Sequence, residues 1–139
     1  MLTDEAIAAV VHTALTEDAP WGDVTSELLI PAGATAVASV VAREPGVLSG
    51  ARLLRATVTA VDAEASVDQR IGDGERFEKG DTIAVVSGNA RSILRAERVA
   101  LNLLQRMSGI ATLTARYVAL TAGTKAHIVD TRKTTPGLR

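Results

Sequence analysis

At 139 residues, 47% hydrophobic and without cysteine, the chain can bury an aliphatic core but can form neither a disulfide nor a thiolate metal site. Its net charge of −1 conceals a division: residues 1–90 carry six Lys/Arg against 14 Asp/Glu, whereas residues 91–139 carry nine against two. Such asymmetry fits either an anionic partner for the basic half or two halves that neutralise each other on folding. No apolar run nears the roughly 20 residues that span a bilayer. The first residues, MLTDEAIAAVVHTALTED, are acidic where a signal peptide would be basic, so a cytoplasmic protein with no membrane partner is expected.

Ile7, Val10, Val11, Ala14 and Leu15 recur at helical spacing, with Thr3 placed to cap the helix and Asp4 and Glu5 in its first turn. Pro20 and Gly22 turn the chain into a loop, and TAVASVVAR, residues 35–43, reads as a buried strand. After the turn EPG, residues 50–61 form a second helix. Residues 65–88 read as short strands punctuated by Gly72, Gly74 and Gly80, a pattern resembling the hammerhead modules of biotinyl and lipoyl carriers. A carrier needs a displayed lysine between its strands, and Lys79 in KGD is the sole candidate; an ordinary solvated turn accounts for it better.

A helix is then predicted over residues 90–106, another over 112–120, and a strand over 126–130. Ile93, Ala96, Ala100, Leu103, Leu104 and Met107 share one face of the first, while Arg91, Arg95, Arg98 and Asn102 fall opposite. The like charges of Arg91 and Arg95, four residues apart, weaken an isolated helix by a few tenths of a kcal/mol. That basic ridge is either a solvated face or a surface that meets an anion or an acidic partner.

The helix-then-strand rhythm resembles entry into a parallel α/β layer, where functional residues gather at the carboxyl ends of strands. DTRKT follows the segment AHIV at such an end. Arg132 offers a planar fork for carboxylate or phosphate, and Lys133 a compact charge; Asp130 alone cannot neutralise Arg132, Lys133 and Arg139. His12 and His127 are expected to be packed or solvated rather than ligands. Glu17, Asp18 and Asp23 are expected to form a solvated acidic loop rather than a cation site.

Four stretches carry a family resemblance: EDAPWGDVTSELL (17–29), PGVLSG (45–50), ILRAERVALNLLQRMSGIATLTARYV (93–118) and DTRKTTPGLR (130–139). Together they resemble the N-terminal half of the nicotinate-nucleotide pyrophosphorylase family, also called quinolinate phosphoribosyltransferases. The last two are too long and specific for chance agreement. The resemblance implies a pentosyltransferase of NAD biosynthesis that joins quinolinate to 5-phosphoribosyl 1-diphosphate, giving nicotinate mononucleotide, diphosphate and carbon dioxide. It implies an α+β N-terminal domain, helices on a mostly antiparallel and hammerhead-like sheet, over residues 1–107. The first helix and strand of an incomplete β/α barrel would follow over 108–139.

By the same resemblance, Thr131, Arg132 and Lys133 match the family's substrate-binding triplet, with Lys133 also the expected catalytic residue. Arg98 matches an arginine lent across a dimer interface, and Arg139 a further substrate-binding arginine. Mg²⁺ is expected with the diphosphate, its ligands lying outside this chain. A homodimer or higher homo-oligomer is expected, with no nucleic-acid partner. Family members continue for roughly as many residues again, carrying the remaining site residues, so residues 1–139 alone are expected not to turn over. Two alternatives stay open: a pyrophosphorylase-like protein associated with molybdenum transport, and a non-catalytic domain that assembles with a partner chain.

Overall fold

The computed structural model describes residues 2–134. The first helix, α1 (Asp4–Asp18), begins where Thr3 Oγ1 accepts from the Ala6 N–H at 3.2 Å, and it buries Ile7 and Val11. A short helix, α2 (Val24–Leu29), follows where only a loop was expected. Its start is encoded by Asp23, whose carboxylate accepts from the Ser26 N–H at 3.1 Å and the Ser26 hydroxyl at 2.5 Å.

Three strands, β1 (Thr35–Val41), β3 (Ser66–Gln69) and β5 (Thr82–Asn89), form an antiparallel sheet in the order β1-β5-β3. A two-residue ribbon pairs β2 (Gly46–Val47) with β4 (Arg76–Phe77). Central β5 buries Ile83, Ala84 and Val86. The expectation that residues 35–43 form a buried strand is corrected: β1 is an edge strand that turns Ala36, Ala38 and Val40 inward and leaves Val37 73% exposed. Small residues alternate there because one face alone is covered. The solvated turn expected at Lys79 is present.

Helices α3 (Ala51–Val61) and α4 (Ala90–Leu120) cover the inner face. Leu54 and Val58 of α3 join Ile93, Ala96, Ala100 and Leu104 of α4, with Leu48, Val67 and β5, in one aliphatic core. Each fully buried leucine there contributes about 1.5–3 kcal/mol. A second cluster joins Ile7 and Val11 to Leu53, with Leu103 and Met107 packed against it, so the expected apolar face of α4 serves two cores.

Two expectations about the last third need correction. The helices predicted over 90–106 and 112–120 are one helix of 31 residues, running through Ser108 and Gly109. Ser108 does not break it because its hydroxyl leaves the helix to join Ser49, accepting from the Ser49 N–H at 3.1 Å and donating to the Ser49 carbonyl at 3.2 Å. Thr112, one turn on, accepts from the Val47 N–H at 2.9 Å. Tertiary bonds on both sides of Gly109 thus offset the roughly 1 kcal/mol that a mid-helix glycine costs. The strand expected over 126–130 is not formed among the described residues. A strand exists only beside a hydrogen-bonding neighbour, and the sheet lends this segment none. No described helix is long and apolar enough to cross a membrane.

Candidate functional site

The basic ridge of α4 is differentiated by its surroundings. Arg91 donates from Nε to the Ile30 carbonyl at 2.7 Å and from Nη2 to the Glu27 carbonyl at 2.8 Å. It therefore caps the carboxyl end of α2, where helix carbonyls lack partners. Arg98, two turns on, engages Asp18 at the end of α1: Nε lies 2.7 Å from Oδ1, and Nη2 donates to Oδ2 at 3.0 Å. Asp18 is largely enclosed, with 19% of its side chain exposed, whereas Arg98 is 70% exposed.

Beside them, Asp23 is held below the usual carboxylate range. The Ser26 hydroxyl is the largest cause and the Ser26 N–H the next, while partial burial opposes them and the charges of Arg98 and Arg95 add to them. The acidic loop is thus not the simply solvated one expected: Asp18 and Asp23 are both engaged. Cross-neutralisation of the two halves of the chain is realised at this point. The pairing of Asp18 with Arg98 is what reading the sequence missed, because nothing local joins Asp18 to a partner 80 residues away. Asp23 could have been found from its place three residues before Ser26, a helix-capping spacing.

Thr131, Arg132 and Lys133 lie in an exposed segment beyond α4, where the Lys133 N–H donates to Thr131 Oγ1 at 3.2 Å. Arg139 lies outside the described residues. The structure therefore groups Thr131, Arg132 and Lys133 along one stretch and places Arg98 separately on α4. A cleft of about 1090 Å³ opens between β1 and α4, edged by Arg43, Glu44, Glu97 and Arg116, and Arg98, Thr131, Arg132 and Lys133 are not among the residues that line it. His12 and His127 are exposed, as solvated histidines would be. Among the described residues no three His, Asp or Glu side chains gather to hold a metal ion.

The fold is a small α+β layer whose long helix α4 carries arginines on its outer face and leads into a basic, hydroxyl-bearing segment. The profile described as Quinolinate phosphoribosyl transferase, N-terminal domain, matches residues 23–108, and the corresponding C-terminal domain profile matches residues 110–139. The chain belongs to the quinolinate phosphoribosyltransferase family.

Over its whole length it is 44% identical to the carboxylating nicotinate-nucleotide pyrophosphorylase of Mycobacterium leprae, of which it covers 51%. It is 42% identical, over 96% of its residues, to the mitochondrial decarboxylating quinolinate phosphoribosyltransferase 2a of Nicotiana tabacum, of which it covers 38%. The fold matches NadC from Streptococcus pyogenes with a TM-score of 0.93 at 38% identity, over 99% of this chain and 49% of that one. The chain spans about half the length, or less, of these relatives.

Proposed function

We propose that this chain forms part of an enzyme that transfers the phosphoribosyl group of 5-phosphoribosyl 1-diphosphate to quinolinate, with decarboxylation, to give nicotinate mononucleotide for NAD biosynthesis. The observation that carries this is the match to both domains of the family, ending on DTRKTTPGLR. The relatives above bear quinolinate or nicotinate-nucleotide names, which favours this function over the molybdenum-transport alternative.

The chemistry suits the residues. The pyridine nitrogen bonds to the anomeric carbon as the bond to diphosphate breaks, its electron pair leaving with diphosphate. Loss of carbon dioxide then leaves a pair on the adjacent ring carbon, which takes a proton. Neither step needs a protein nucleophile; both need cations fixed around a dicarboxylate and a polyphosphate. In this proposal Arg132 clamps a quinolinate carboxylate with two parallel hydrogen bonds. Lys133 faces the developing charge, and Thr131 and Arg139 complete the binding set. Arg98 reaches the site of a neighbouring subunit in a homodimer or larger homo-oligomer. Mg²⁺ would accompany the diphosphate, and no ligand for it is assigned to the described residues.

The barrel reading for residues 108–139 belongs to the same proposal. Ile110, Leu113, Tyr117, Leu120 and Val129 are exposed on α4 and beyond, an apolar surface suited to burial under further β/α units. A cytoplasmic setting, expected from the sequence, accompanies this reading. The test is Arg132→Ala in a full-length enzyme of which residues 1–139 form the N-terminal half. Calorimetric titration with quinolinate should show binding lost while circular dichroism and the melting temperature stay unchanged; unaltered binding would refute the assignment.

A further inference from the structure

Asp18 closes α1 where an acid is least welcome. The last turn of a helix carries the negative end of its dipole, yet Glu17 and Asp18 occupy it and no basic residue accompanies them there. Departures from local rules of this kind concentrate at functional positions. What Asp18 obtains instead is Arg98, in a side-on, two-point grip through Nε and Nη2. An exposed ion pair adds little stability, so the pairing is better understood by what it does to the arginine.

The enclosed carboxylate is the fixed member and the exposed guanidinium the one being held, since 19% of the first side chain and 70% of the second is exposed. Arginine has five N–H donors in a planar fork; with two of them committed to Asp18, three remain on the outward edge. A long side chain that would otherwise sample many rotamers is ordered before any ligand arrives, and that ordering is part of what binding normally costs.

We propose that Asp18 is a positioning residue for the transferase reaction: it holds Arg98 in one rotamer with the Nη1 edge turned outward, so that the guanidinium meets an anionic group of the substrate already oriented. The inference rests on the proposed function, in which Arg98 contacts substrate, and it adds a residue that touches no substrate itself.

The test is a double-mutant cycle in the full-length enzyme. Asp18→Asn keeps the side chain's size but removes its charge and one acceptor, and it should raise the KM for one of the two anionic substrates about tenfold, in the range measured for coupled neighbours. The fall in kcat should be smaller and the melting temperature should hold. Asp18→Glu, which returns the carboxylate one methylene further out, should recover part of the affinity, and it replaces the Asn variant should that one not fold.

In an Arg98→Ala background the Asp18 substitution should change KM no further, because its effect passes through Arg98. Additive effects in the cycle, or a lowered melting temperature with KM unmoved, would overturn the inference. If Arg98→Ala raises KM and Asp18→Asn does not, the positioning role alone fails. If Arg98→Ala leaves both KM values unchanged, the substrate contact assigned to Arg98 fails with it.

Discussion

The start of α3 depends on a side chain 22 residues away, and removing that side chain has a calculable cost. Gly50, the cap position of α3, sits at φ 109°, a left-handed conformation that glycine adopts without strain, and it has no side chain to accept from the helix. Asp73 supplies the acceptor: its Oδ1 receives the N–H groups of Gly50 and Ala51, both at 2.8 Å. The loop carrying it is fastened by the Gly74 N–H to the Leu48 carbonyl at 2.8 Å and by the Leu48 N–H to the Glu75 carbonyl at 2.9 Å.

Asp73→Ala removes a helix cap, at about 1 kcal/mol. It also leaves the buried Gly50 N–H without its partner, at about 1–3 kcal/mol, although water can serve Ala51. A net loss of about 2 kcal/mol is expected, which at a urea slope of about 2 kcal/mol per molar lowers the unfolding midpoint by about 1 M. Asp73→Asn retains the oxygen and forfeits only the favourable charge at the helix start, about 0.3–1 kcal/mol. Urea titration followed by circular dichroism measures both variants. An Ala midpoint within about 0.2 M of the parent, or an Asn variant as damaged as the Ala one, would refute the capping account.

Gly46→Ala should destabilise by about 1–3 kcal/mol, because an added methyl would lie 2.7 Å from the Phe77 ring and 2.8 Å from Thr112 Oγ1. Gly33→Ala, where a methyl meets nothing within 4 Å, is the control, and equal melting temperatures for the two would contradict the packing described. Asp23 gives a pH signature. Its folded pKa lies below the ordinary carboxylate value, so its contribution is complete above the unfolded value and fades as the pH falls through the lower folded one. The stability gap between the parent and Asp23→Asn should therefore be constant near neutrality and close below about pH 4. A gap that persists unchanged at about pH 2 would exclude the Ser26 bonds as its origin.

Elements with a full period of apolar residues were legible from sequence. Ile7 and Val11 fixed the face of α1, and Leu54 and Val58 buried the face of α3 in a segment read as helical. What escaped was decided by partners distant in sequence. Helix α2, at six residues, is too short to show a period and is held by Asp23 at one end and Arg91 at the other. The continuity of α4 through Ser108 and Gly109 depends on Ser49 and Val47. The family motifs marked Arg98 as important, but the carboxylate that holds it was visible only after folding.

A stiff rod of 31 residues, about 46 Å long at 1.5 Å per residue, transmits angles as well as positions. Its near end is seated by Ile93, Ala96 and Ala100, and its far end leads into the segment bearing Arg132 and Lys133. Tilting that rod by about 10° about Ala100 would swing the far tip, about 30 Å away, through about 5 Å. Repacking a methyl group at Ala96 or Ala100 can therefore misalign a cation that it never touches, and the aliphatic layer acts as the gearing that sets the aim of the terminal segment.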